Sequence, residues 1–169
     1  MTEILDIVDE NDHVIGQIDR DLKDDSHIVR VIFIGFYTPD KKLFMQKRSM
    51  LKKKNPGKMT ATVSGHVESG MSYDDTVVKE ALEESGIAID PAKVVYLGKF
   101  LEQGTMRAVY AYPFDGGIDD LQIEAGEGDG FVALTIPEIR QRLQTNPDEF
   151  TPFVSSESGA ALLNYIEQV

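Results

Sequence analysis

The sequence predicts an α/β fold built on a mixed sheet, and three observations carry that prediction. Strand-patterned segments dominate the first third of the chain, one strongly helical segment follows at 72–86, and strand-like and helical segments then alternate to residue 167. The 169 residues, 41% of them apolar, suffice for a substantial core. No repeat, low-complexity tract or long linker divides them, so a single domain spanning 1–169 is expected.

The first unit, EILDIVDENDHVIGQIDR, has two alternating stretches at 4–8 and 14–18 around Glu10, Asn11 and Asp12, which reads as a β-hairpin. VRVIFIGFY at 29–37 is nearly continuous in β-branched and aromatic residues, as a strand buried on both faces would be. After the turn signal Thr38-Pro39-Asp40, KLFMQKR at 42–48 completes a second, more buried hairpin. TATVSG at 60–65 is a short strand ending in glycine. The helix that follows has Ser72 as its N-cap, Asp74 and Asp75 in its first turn and Gly86 as its terminator. Further strands are expected at 94–101, 106–114 and 131–134, and helices at 137–144 and 156–167. Phe100, Tyr110 and Phe131 are expected in the core rather than as stacking platforms.

Composition removes several function classes. A net charge of −12 argues against a general nucleic-acid binder, which needs surplus Lys and Arg to displace counterions. Without cysteine there are no disulfides, thiolate nucleophiles or cysteine zinc sites. The opening TEILDIVDEND is unlike a signal peptide, and no apolar run approaches the ~20 residues of a membrane span. A cytoplasmic protein with neither nucleic-acid nor membrane partners is expected.

The chemistry begins at KEALEESGI, residues 79–87. At 3.6 residues per turn, Glu84 falls about 40° from Glu80 around the helix and Glu83 about 60° to its other side. All three carboxylates can therefore enter one patch. Such a patch repels itself when empty and suits hard divalent cations, which prefer carboxylate oxygens and keep waters elsewhere in their shell. The alternative is a solvated acidic helix face.

The run GHVESGMSYDDTVVKEALEESGI, residues 65–87, resembles the signature of the Nudix hydrolases: a glycine, five residues, a glutamate, seven residues, then Arg-Glu-apolar-x-Glu-Glu-x-Gly-apolar. Gly65, Glu80, Ala81, Glu83, Glu84, Gly86 and Ile87 match at the right spacing. The resemblance implies a Nudix-like α/β/α sandwich around a mixed sheet, and Mg²⁺- or Mn²⁺-dependent attack of water on a diphosphate linkage. The expected function is therefore a diphosphohydrolase acting on a nucleoside diphosphate derivative or a related small phosphoanhydride.

Two positions depart from that pattern: Met71 stands where the first glutamate is expected and Lys79 where the arginine is expected. In the family these two resemble a structural ion pair holding the loop against the helix. Losing the acid would strand an arginine, so the paired change to Met71 and Lys79 is physically coherent. Lys79 has Asp75 and Glu83, four residues away on either side, as alternative partners. On one account Met71 packing anchors the loop and the metal site survives; on the other the loop is loosened and the chain is a weakly active or non-catalytic nucleotide-binding module.

The stretch 46–66, QKRSMLKKKNPGKMTATVSGH, preceded by the VDENDHVIG hairpin, is similar to isopentenyl-diphosphate isomerase-like Nudix proteins, and the resemblance covers most of 5–90. The isomerase itself needs a cysteine where this chain has Ser64 and a Glu-x-Glu pair where it has Met106, Arg107 and Ala108, so isomerase activity is the weaker alternative. His66 fits a histidine of the isomerases, or is a loop histidine with a structural hydrogen bond.

For a hydrolase the resemblance implies that the Gly65 carbonyl with Glu80, Glu83 and Glu84 holds Mg²⁺ or Mn²⁺, and that a further acid comes from outside the signature. EAGEGDG, residues 124–130, offers Glu127, with Glu124 and Asp129 close by; a flexible acidic surface loop is the alternative. Lys47, Arg48, Lys52, Lys53, Lys54 and Lys58 are 6 of the 17 basic residues. They could draw phosphates toward the site, or form a solvated loop, with Arg48 best placed. Arg30 and Lys58 are further candidate phosphate contacts. Family members are often dimers, so a homodimer is a further expectation.

Overall fold

A computed structural model describes residues 2–169. Its nine strands form one mixed sheet: β1 (Ile4–Val8), β2 (Val14–Asp19), β3 (Val29–Tyr37), β4 (Lys42–Arg48), β5 (Met59–Thr60), β6 (Val63–His66), β7 (Val95–Glu102), β8 (Thr105–Pro113) and β9 (Gly128–Thr135). The helices are α1 (Tyr73–Ser85), α2 (Ile136–Thr145), the single turn α3 (Pro152–Ser155) and α4 (Glu157–Gln168).

β3 is the axis of the sheet. One of its edges runs parallel to β8 along its whole length, from Val29 opposite Thr105 to Tyr37 opposite Pro113. Its other edge is shared in succession by β1, β6 and β4, all antiparallel. The cleft described below is lined by residues from the ends of β4 and β6 and from the turn after β2.

Alternation along β3 separates two cores. Ile32, Ile34 and Phe36 join Phe44, Val63, Ala108 and Tyr110 beneath α1, which contributes Val77 and Ala81. On the opposite face Leu43, Met45, Val109 and Ala111 meet Ile136, Ile139, Phe153, Leu162 and Ile166 of α2 to α4. The molecule is thus the α/β/α sandwich expected. Gly35 permits the tight seat of α4, since an added Cβ would fall 2.7 Å from a Leu162 methyl and 2.9 Å from one of Leu43.

The helix α1 begins and ends as its sequence directs. Ser72 Oγ accepts a hydrogen bond from Asp75 N at 3.1 Å, and Gly86 takes φ +72° while its N–H donates to the Leu82 carbonyl. Phe100, Tyr110 and Phe131 pack in the cores as expected. The expected strand at 60–65 divides into β5 and β6 around Ala61 and Thr62, and Thr62 Oγ1 accepts from Phe36 N while donating to the Phe44 carbonyl. β9 starts earlier than expected, inside the acidic glycine stretch. Gly128 lies opposite Arg48 there, and an added Cβ would fall 2.7 Å from the Lys47 carbonyl. Among the described residues no helix is long and apolar enough to cross a membrane.

Candidate active site

A cleft of about 1000 Å³ opens between α1, the end of β6, the 48–54 loop and the turn at 20–23. Its acidic wall is built by α1 against β6. Gly65 lacks the side chain that would fill the space over its Cα, and the Glu80 carboxylate occupies it: an added Cβ would lie 2.7 Å from Glu80 Cγ and Oε2. One turn on, Glu84 Oε2 accepts a hydrogen bond from Ser64 N at 3.2 Å. Glu83 stands further out, its side chain half exposed.

Burial sets the electrostatics of this wall. It pushes the Glu84 carboxyl up to about 8 against the opposing pull of the Ser64 N–H, with the Glu80 and Glu127 charges adding to the rise. It pushes Glu80 up to about 7, with Lys79 lowering and Glu83 raising the value. Two carboxyl groups that resist ionisation lie side by side, and a cation would relieve both.

Lys79, on the same helix, has a partner that its neighbours in sequence do not suggest. Its Nζ is 2.6 Å from Glu68 Oε1 in the loop before α1, and 3.5 Å from both Glu80 Oε1 and Glu83 Oε2. Burial would lower the Lys79 pKa, but the Glu68 hydrogen bond and the Glu80 and Glu83 charges outweigh it and hold it above the ordinary lysine value. Asp75, the other expected partner, is engaged with Ser72 instead. Met71 packs against the core beneath α1, as the first account of the loop requires.

The opposite wall is basic. Arg48 comes from the end of β4, Lys52, Lys53 and Lys54 from the loop after it, and Arg20 and Lys23 from the turn after β2. Arg48 shapes that loop by donating from Nε and Nη2 to the Lys54 carbonyl at 3.2 and 3.0 Å. Lys52 Nζ reaches Glu127 Oε2 at 2.5 Å, and Ser49 N donates to the Glu127 carbonyl, so the basic loop and the 124–127 segment are fastened together. His66 lies between the walls; burial, with the charges of Arg20, Lys23 and Lys54, pushes its pKa down to about 4, so the imidazole is neutral near pH 7.

The structure therefore gathers Gly65, Glu80, Glu83, Glu84, Glu127 and Arg48 at one cleft, with Glu124 beside them. Two expected phosphate contacts are placed elsewhere. Arg30 donates from Nε to Asp12 Oδ1 at 2.7 Å and from Nη2 to the Asp12 carbonyl, and its guanidinium lies over the Tyr73 ring. Arg30 shares the α1 face of β3 with Ile32 and Ile34, but Asp12 and the Tyr73 ring hold it at the N-terminal end of α1, away from the cleft. Lys58 contributes its backbone, its carbonyl accepting from Arg48 N, while its side chain does not line the cleft. Sequence reasoning missed Arg20, Lys23 and Glu68.

Among the described residues no three His, Cys, Asp or Glu side chains converge into a ready-made metal cage. The donors that could take a hard divalent ion are the oxygens of Glu80 and Glu84 beside Gly65, with Glu83 adjacent. This all-oxygen set suits an ion whose remaining positions are filled by water or substrate.

Comparison with known proteins accords with this geometry. The family model described as the NUDIX domain matches residues 26–154. An uncharacterized Nudix hydrolase of Streptomyces coelicolor is 35% identical over 156 residues, covering 89% of this chain and 83% of the relative. An isopentenyl-diphosphate Delta-isomerase of Pectobacterium atrosepticum is 26% identical over 157 residues, covering 89% of this chain and 86% of its own. A crystal structure of a Deinococcus radiodurans protein superposes with a TM-score of 0.79 at 23% identity, covering 98% of both chains, which shows a shared fold.

Proposed function

The chain belongs to the Nudix hydrolase family, and from that premise we propose that it is a diphosphohydrolase dependent on Mg²⁺ or Mn²⁺. Its substrate would be a nucleoside diphosphate derivative or a related small phosphoanhydride. The observation that carries this reading is the opposition of two partly buried carboxylates, Glu80 and Glu84 at Gly65, to the cations of residues 48–54 across one cleft.

Glu80, Glu84, Glu83 and the Gly65 carbonyl would hold the cation. When bound, such an ion supplies charge neutralisation for the diphosphate and acidifies a water for attack. Arg48, Lys52, Lys53 and Lys54 would orient the phosphates, helped by Arg20 and Lys23 from the other rim. Glu127 is the acid from outside the helix that can reach this space once Lys52 turns to a phosphate. A cytoplasmic location and a homodimer belong to the same proposal.

A second reading, a nucleotide-binding module without turnover, draws on one observation: the Lys79 ammonium already stands 3.5 Å from Glu80 and Glu83 of the acidic wall. Incubation with nucleoside diphosphates and triphosphates, nucleotide sugars, dinucleoside polyphosphates and isopentenyl diphosphate, in Mg²⁺ and in Mn²⁺, separates the readings. Metal-dependent hydrolysis, read as phosphate or diphosphate from the nucleoside phosphates and as the two phosphorylated halves of the nucleotide sugars and dinucleoside polyphosphates, is expected and is abolished in Glu84→Gln. A folded protein that turns over none of these overturns the hydrolase reading, and isomerised isopentenyl diphosphate would establish the alternative suggested by the Pectobacterium relative.

A further inference from the structure

Glu68 has no part in the roles assigned above, yet its backbone is held more firmly than its place in a loop would suggest. It forms an isolated bridge with Leu5, and its carbonyl accepts from Met71 N at 3.0 Å. The next residue, Ser69, donates from N to the Ile4 carbonyl at 2.8 Å and from Oγ to Asp6 Oδ1 at 2.6 Å. The Glu68 carboxylate is thus presented from a fixed base, and its hydrogen bond to Lys79 spans from loop to helix.

Lys79 stands among three acids, and the distances rank them. The ammonium makes its short contact with Glu68 at 2.6 Å, while Glu80 and Glu83 lie at 3.5 Å, within Coulombic reach but beyond a strong hydrogen bond. Lysine is a flexible point charge on a four-carbon stem and settles wherever its best acceptor lies. Without Glu68, the nearest acceptors are the carboxylates of the acidic wall themselves. An ammonium hydrogen-bonded to Glu80 and Glu83 would occupy the oxygens that a divalent ion needs.

We propose that Glu68 is a positioning residue: it draws the Lys79 ammonium away from Glu80 and Glu83 and so keeps those carboxylates open to a cation. The inference rests on the metal-dependent reading of the same cleft. It gives Lys79 a defined resting place, in a loop that lacks an acid at position 71.

The test is Mn²⁺ binding by the full chain without substrate, followed by the loss of the free-ion electron paramagnetic resonance signal, with melting curves recorded for every variant. Glu68→Gln is expected to weaken Mn²⁺ binding about tenfold, and Glu68→Asp to recover most of that loss. In a Lys79→Gln background the further change Glu68→Gln is expected to alter affinity by less than about twofold, because the lysine through which it acts is gone. Glu68→Gln that binds as tightly as the unaltered chain overturns the proposal. So does an undiminished loss in the Lys79→Gln background, which would mean that the Glu68 charge acts on the ion directly. An unaltered chain that leaves Mn²⁺ free overturns the metal reading, and this proposal with it, before any substitution is made.

Discussion

The carboxylate of Glu80 rests directly over the Cα of Gly65, in the space a side chain would otherwise take. Helix and strand meet there with nothing between them, so the position of the acid is set by the lack of a methyl group. Gly65→Ala is expected to push Glu80 aside and lower kcat by about a hundredfold, the scale of a misplacement of about 1 Å at a reacting centre. Kinetics alongside a melting curve check it, and a folded Gly65→Ala protein with full kcat would show that Glu80 need not lie against this strand.

Lys52 and Glu127 form the one direct ion pair that joins the basic loop to the 124–127 segment among the described residues. The pair is partly exposed, so Lys52→Gln should cost no more than about 1 kcal/mol of stability. Its larger effect is expected on substrate capture, with KM for a diphosphate substrate raised about tenfold by the loss of a phosphate-facing cation, and the salt dependence of kcat/KM weakened. Initial rates across a range of salt concentrations measure both.

Asp12 is nearly covered and accepts from Arg30 Nε, Lys99 Nζ and the Tyr73 hydroxyl. Burial alone would raise its pKa, but Lys99 and Arg30 hold it below the ordinary aspartate value of 3.8. A carboxyl with a depressed pKa adds stability above its unfolded value and loses it as pH falls through the folded one. Asp12 should therefore contribute fully at pH 5 and above and progressively less below about pH 4. Asp12→Asn is expected to destabilise the protein by about 2 kcal/mol near pH 7, the scale of losing a hydrogen bond to a charged group. It should also flatten the acid limb of the stability curve, read from urea midpoints across pH.

Gly35 faces α4, where Leu162 and Leu43 leave no room for a methyl. Gly35→Ala should cost about 1–3 kcal/mol through overpacking and leave Mn²⁺ binding unchanged, since α4 lies on the face of the sheet opposite α1. Thermal melts and Mn²⁺ titration of this variant separate core packing from the cleft.

Local chemistry made much of this legible in advance. The capped helix α1, the apolar run of β3 and the spacing of Glu80, Glu83 and Glu84 are each written within a few consecutive residues. Arg30 was misplaced because its partner Asp12 lies 18 residues earlier, between β1 and β2, and no local pattern announces that pairing. Glu68 was missed because its partner lies eleven residues on, across a loop whose path depends on Leu5 and Ser69. Arg20 and Lys23 reach the cleft only because β2, paired to β1, ends beside it, and no pattern within the RDLK turn could announce that.

The pairing of β3 with β8 also governs the order in which the molecule can be assembled. Every rung of that ladder joins a residue in 29–37 to one in 105–113, so the central ladder closes only after the intervening segments are in hand. The acidic helix leaves the ribosome before the second half of its own platform exists. A nascent chain or fragment stopped before residue 105 would carry all three glutamates of α1 and the β3–β6 pair that places Gly65, but not the β8 ladder that braces β3. Tight cation binding would then report completion of the whole fold rather than formation of the helix.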